Sequence, residues 1–328
     1  MDCSNYYEKG YRALKENDCL KGIEYFSKSA VLAELFKEKE YYHLSIRELG
    51  RCYFRLGELN HAYDTFMQLF REEVDQEIKF YAISMLAVID ANWGRADKAI
   101  EIMKLLPETE SVLVNRGLMY YYLYKFHGQK DALVKARLDL ERVLEISKSK
   151  SRVWKILINL SLIDQEEKEY LEAEKKLMQA LDLSVTKREK GMVYNNLGLL
   201  YIYMDKLDEA ERCLKMALDN FDLEVDLVDI ARNDHWRGLL EKKRKNFVLS
   251  KSYLYKAAMV LKEKKLFYDL AEVEYVLAEI SDDIDKKVDH MVSYMLAEQK
   301  AKEVDSDYEE IYKYLINRFD DVHDFEYI

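Results

Sequence analysis

The chain has 328 residues, a formal charge of −11, 49% hydrophobic residues, 1 Pro and 10 Gly. That length admits two ordinary domains or one continuous repeat array, and the shortage of breakers favours long helices joined by short loops. The acidic balance argues against general binding to nucleic acid or anionic membrane, no run approaches the roughly 18 apolar residues of a bilayer span, and residues 1–20 hold no apolar signal core, so a cytoplasmic chain is expected.

Taken in chain order, a small residue recurs in a helical context at Gly10, Gly50, Ala87, Gly117, Ser161, Gly198, Gly238 and Ala278. Twelve residues after most of these stands a partner in the register of a second helix: Gly22, Ala62, Ala99, Ala173, Ala210, Ser250 and, as the poor fit, His290. Gly117 reaches Ala136 instead, so the fourth repeat carries an insertion around Lys125–Val134. Apolar residues then follow at i+4 and i+7, as at Phe66 and Leu69 or Leu177 and Ala180, which lays one stripe along one helical face. Turns are expected at Leu56-Gly57-Glu58, Trp93-Gly94-Arg95 and Met204-Asp205-Lys206. Pro107 stops the second helix of repeat three. Asp305, Ser306 and Asp307 offer an N-cap for a final helix near Tyr308–Phe319 that covers the last repeat, followed by a loose acidic tail, Asp320–Ile328. Periods of this length are the signature of a solenoid.

The clearest unit runs from Tyr194 to Ala217, with Asn196-Leu197-Gly198, Tyr201, Asp208-Glu209-Ala210, Leu214 and Ala217. It resembles the tetratricopeptide repeat, and Gly50, Tyr53, Gly57, Ala62 and Phe66 repeat much of the pattern. The resemblance implies an all-α, right-handed superhelix (an α-solenoid) of about eight helical hairpins over residues 1–306, with a capping helix and acidic tail over 307–328. The spacing here is nearer 40 residues than the common 34. In that long-unit style the chain resembles the peptide-pheromone receptors of Gram-positive bacteria, so a bacterial origin is expected. Their groove binds a short linear peptide. The first repeat begins almost at Met1, which leaves no room for their N-terminal output domain.

Several residues are candidates for binding a peptide or partner protein. Asn115, Asn159 and Asn196 stand two positions before the small residue in three successive repeats, with Asn195 beside the last. Inward amides can bond both N–H and C=O of an extended peptide, or can bond between helices. Around them the expected inner face is apolar and aromatic and includes Leu118, Tyr122, Leu162 and Tyr203, either as groove wall or as self-filled core. Arg47, Arg51 and Arg55 form one stripe at i, i+4 and i+8, suited to a carboxylate, an acidic peptide, a phosphate or a partner enzyme. The alternative is a solvated face paired with Glu48 and Glu58. Trp236, near Arg232, His235 and Lys242, is a secondary contact or a core filler.

The acidic far end, opposite in charge to the Arg stripe, permits a homodimer as an alternative to ordinary solvated charge. The 4 Cys (Cys3, Cys19, Cys52 and Cys213) show no paired metal spacing and read as reduced thiols. No phosphate loop, nucleophile elbow or H-E-x-x-H is present. Asp285, Asp289 and His290 are better explained as a charged helix start than as a metal site. The expectation is a non-enzymatic regulatory receptor or a constitutive scaffold, without cofactor or metal.

Overall fold

The structure is a computed structural model that describes residues 2–16, 18–147, 150–283, 285–286, 289–290, 293 and 308–323. Among these residues there are sixteen helices and no strand. They pair as hairpins: α1 (Cys3–Lys15) with α2 (Cys19–Phe36), α3 (Lys39–Arg55) with α4 (Leu59–Arg71), and, along the chain, α5 (Gln76–Asn92) with α6 (Ala96–Lys104). Next come α7 (Glu110–His127) with α8 (Lys130–Ile146), α9 (Lys150–Glu166) with α10 (Tyr170–Leu183), α11 (Lys187–Tyr203) with α12 (Leu207–Leu218) and α13 (Leu227–Lys243) with α14 (Phe247–Glu263). The described chain ends with α15 (Phe267–Glu279) and α16 (Tyr308–His323). The architecture is an all-α solenoid of tetratricopeptide-like hairpins.

Local chemistry sets the helix boundaries. Asp2, Asp18 and Thr109 each accept a backbone N–H from the first turn they precede. Thr186 and Glu189 satisfy each other's backbone in a capping box at the start of α11. The three expected turns lie where the spacing put them. Gly57 and Gly94 take the left-handed conformation there, but Asp205, Lys168 and Lys245 take it at equivalent corners without being glycine.

The small residues do steric work within each hairpin. A Cβ placed on Gly10 would stand 2.7 Å from the Phe26 ring, one on Gly50 2.8 Å from Phe66, and one on Gly198 or Gly238 2.6 Å from Leu214 or Leu254. In each pair the large side chain lies sixteen residues on and is buried. Each glycine therefore leaves room for a large side chain of the opposite helix to pack directly on its backbone.

The chain divides into two compact units. The first takes Met1–Asp90, Glu101–Leu106 and Ser306–Ile328, the second Ala91–Ile100 and Pro107–Asp305. In the first, α16 continues to His323, so Asp320–His323 are helical rather than loose tail, and its described contacts are not with the last repeat that it was expected to cover. Its described contacts are with α4, α5 and α6: Tyr314 meets Phe70 edge-on at 5.5 Å, Lys79 lies 5.2 Å from the Tyr314 ring, Arg71 pairs with Glu310 at 2.8 Å, and Tyr308 bonds Glu101. Ile311 and Leu315 of α16 are themselves buried. The second helix of repeat eight (Tyr294, Ala297), the cap at Asp305–Asp307 and residues 324–328 lie outside the described residues. The second unit is centred on Trp154, Leu157, Ile158, Leu177, Val193, Leu197 and Leu200, contributed by α9, α10 and α11. Cys3, Cys19 and Cys52 are buried free thiols and Cys213 is half-buried.

Gly198→Ala tests the crossing. Helix propensity alone favours alanine by up to about 1 kcal/mol, but the clash with Leu214 is expected to cost about 1–3 kcal/mol. Urea unfolding should therefore give a lower midpoint for the variant, whereas a raised midpoint would show that the close approach is not needed.

Candidate functional site

The second compact unit presents a face made from its first helices, α7, α9, α11, α13 and α15. Asn115 of α7, Asn159 of α9 and Asn196 of α11 are all half-buried. They differ in what their amides do. Asn196 donates to the Met192 carbonyl of its own helix at 2.8 Å. Asn159 makes no hydrogen bond among the described residues. The neighbouring Asn195 is buried, donates to the Asp229 carbonyl at 3.1 Å and accepts from Asn233 at 2.7 Å, while Asn233 also donates to the Leu214 carbonyl. Asn195 therefore ties α11 to α13 and is spent on the scaffold. Leu118 and Leu162 are half-buried, Tyr203 is 48% exposed, and Ile158, Leu199 and Ile202 are core. Trp236 packs against the cluster of Ile202, Leu214 and Leu240, as a core filler does.

Tyr122 has a different setting. In α1, α3, α9, α11 and α13 the helix ends five residues after the small residue, but α7 runs ten residues past Gly117, to His127. The inserted residues thus extend the helix, and its added turn meets α15. Phe126 stacks on Tyr268 with ring centroids 4.1 Å apart and planes 2° from parallel, and Tyr122 lies 5.9 Å from the same ring. The Tyr268 hydroxyl donates to the Gly94 carbonyl at 2.6 Å and lies 2.8 Å from His127 Nε2. Lys125 pairs with Glu272 at 2.5 Å. Burial by itself would depress that ammonium, but the adjacent carboxylate outweighs it and holds Lys125 well above the usual lysine range. Arg232 reaches across from α13 to Asp269 at 2.9 Å. What remains between these groups is a narrow cleft lined by Asn92, Tyr122, Leu266, Tyr268 and Asp269.

In the first compact unit the three arginines of α3 do share one stripe. Glu48 is fully buried between them and accepts from Arg47 at 2.9 Å and from Arg51 at 2.5 Å. Arg55 is held by a 3.4 Å bond to the Leu14 carbonyl. Tyr81 of α5 lies beneath, 5.8 Å from the Arg47 guanidinium, and burial pushes its hydroxyl up to about 12. Tyr7 of α1 stands on the other side, and Arg47 also reaches its hydroxyl. Glu58, the other expected partner, lies 3.7 Å from His61.

Sequence reading did not find Tyr268, Glu272 or Lys125. Their only signal is the insertion in repeat four, which marks an irregularity without saying what it touches. Glu48 does carry a signal: it stands two positions before Gly50, the register held by Asn115, Asn159 and Asn196 in later repeats. Among the described residues no group of side chains has metal-binding geometry, and no helix is long and apolar enough to cross a membrane. His290 lies 2.6 Å from Glu274 and 3.3 Å from the Tyr255 hydroxyl.

Residues 155–222 match the family model for the tetratricopeptide repeat. No curated protein matches the chain. Among solved structures, a Rap protein complexed with competence and sporulation factor aligns at a TM-score of 0.56 and 12% identity, over 80% of this chain and 77% of that one. A tetratricopeptide repeat protein from Parabacteroides merdae ATCC 43184 aligns at 0.45 and 16% identity, over 89% and 98%. Residues 155–222 thus carry tetratricopeptide repeats, and the chain shares an all-α repeat fold with the Rap protein; folds of this kind generally present an extended binding surface.

His235, on α13, is 3% exposed and faces Glu272 and Asp269 of α15 and Lys125 of α7. Burial lowers its pKa to about 4, against the acidic neighbours that work to raise it. The unfolded chain then binds a proton more readily than the folded one between about pH 6.5 and 4, so this group's contribution is complete above that window and is lost as pH falls through it. The loss is on the order of 3 kcal/mol. The melting temperature should fall more steeply for the parent than for His235→Phe as pH drops from 7 to 4; parallel curves would show that His235 is not buried neutral.

Proposed function

We propose that the chain is a non-enzymatic regulatory receptor, which holds a short extended peptide against the inner face of α7, α9 and α11 in the second compact unit. The observation that carries this reading is Asn159. Its amide is half-buried at the centre of a row with Asn115 and Asn196, and it makes no bond to the described scaffold. An amide so placed offers a donor and an acceptor to a peptide backbone. Leu118, Leu162 and Tyr203 supply apolar surface beside it.

The closure between α7 and α15 belongs to the same reading. The cleft has room for little more than one water molecule, far below the 300 Å³ or so at which ligand sites usually begin. Peptide entry therefore requires Tyr268 to part from Phe126 and Tyr122, and the ligand shifts the population toward that opened form only through its higher affinity for it. The resemblance to a Rap protein complexed with competence and sporulation factor is one of fold and is consistent with this use.

Native mass spectrometry and calorimetry with peptides from a cell extract test the reading. Asn159→Ala should weaken the captured peptide about tenfold, the size of one lost polar contact left unpaired. Tyr268→Ala should speed association several-fold, while Tyr268→Phe, which keeps the ring stack, should speed it less. If no peptide is captured, or if Asn159→Ala binds as the parent does, the chain is a scaffold rather than a receptor.

A further inference from the structure

The first compact unit carries a site that the peptide reading above does not use. Arg47, Arg51 and Arg55 bring three guanidinium groups to one stripe of α3, and the carboxylate that lies among them is Glu48. The cluster thus keeps two positive charges uncompensated in a chain whose formal charge is −11. The guanidiniums are accessible as well as fixed: the side chains of Arg47 and Arg51 are 29% and 35% exposed. Glu48 fixes two of them from below. Arg55 is the least committed, with a single long bond to a carbonyl. Tyr7 and Tyr81 flank the stripe from α1 and α5, so the charges sit between aromatic walls rather than on an open surface.

We infer that this stripe binds an extended acidic peptide, one with carboxylates at alternate positions and apolar or aromatic side chains between them. The pitch decides the class of ligand. Successive arginines at i and i+4 are separated by about 6 Å along the helix. Alternate side chains of an extended strand are about 6.6 Å apart. Two or three carboxylates spaced Glu-x-Glu-x-Glu therefore match the arginines one to one over about 12 Å. A lone phosphate spans one such step and leaves the next guanidinium unanswered. The residues between the acids face the opposite way in an extended chain, and the Tyr rings beside the stripe suit a chain of that mixed character. Planar guanidiniums already held by Glu48 lose less freedom on pairing than free ones would.

Fluorescence anisotropy on the full chain, with labelled Glu-Tyr-Glu-Tyr-Glu and its Gln-Tyr-Gln-Tyr-Gln counterpart as probes, tests this directly. The acidic probe should bind and the amide probe should bind at least about tenfold more weakly. Binding should fall as salt rises from 50 to 500 mM. Arg51→Gln and Arg55→Gln should each weaken the acidic probe about tenfold, and Arg55→Lys should keep the salt dependence while losing part of the affinity. Arg55 is the safer variant for folding, since a 3.4 Å bond is all that the substitution removes; thermal melts accompany each. Asn159→Ala should leave the acidic probe unaffected, so that failure here and failure of the receptor reading are separate results. Equal binding of the two probes, unchanged affinity in both Gln variants, or displacement by inorganic phosphate at concentrations equal to those of the acidic peptide would each overturn the inference.

Discussion

The structure depends on one steric bargain repeated along the chain. A first helix gives up a side chain, and the second helix of the same hairpin fills the space sixteen residues later with Phe26, Phe66, Leu214 or Leu254. With the backbones so close, the hairpin angle is set by hard contact, and each hairpin offers its neighbour the same surface. Long-range order then follows from local geometry, as it does in repeat proteins generally. The candidate sites rest on it, because the Asn row is drawn from successive first helices and the Arg stripe lies along one of them.

The same repetition leaves room for local departures, and these carry the chemistry. In repeat four the added residues do not loop out. They lengthen α7 so that Lys125, Phe126 and His127 reach the start of α15. The closure mixes a ring stack, a buried hydroxyl bonded to a carbonyl, and an ion pair with Glu272. Each of these groups is costly to leave unpaired once out of water, which makes the closed arrangement specific.

Charge is distributed with similar economy. In the second unit, arginine pairs run from one repeat to the next: Arg188 with Asp226 and Asp229, then Arg232 with Asp269. Arg244 instead turns back to Asp208 and Glu211 of the preceding repeat and to Glu241 of its own helix. The stripe on α3 has fewer acids for its bases. Its matching acid, Glu48, stands on the same helix and serves two arginines at once. That imbalance, more than the presence of three arginines, is what supports the proposed binding of an acidic peptide there.

The sequence by itself determined the fold class, the hairpin register and most helix ends, because spacing of small and large residues is a property of one or two neighbouring helices. It also placed the Asn row and the Arg stripe, which need only helical periodicity. It did not separate Asn195 from Asn196, adjacent residues with opposite fates, because which amide faces Asn233 depends on how α11 rotates against α13. Nor did it foresee that Tyr122 meets Tyr268, a partner far away in sequence, or that α16 lies against Phe70 and Lys79. Those contacts arise from the summed rotation of several hairpins. No local pattern encodes that sum, so it was left to the tertiary structure.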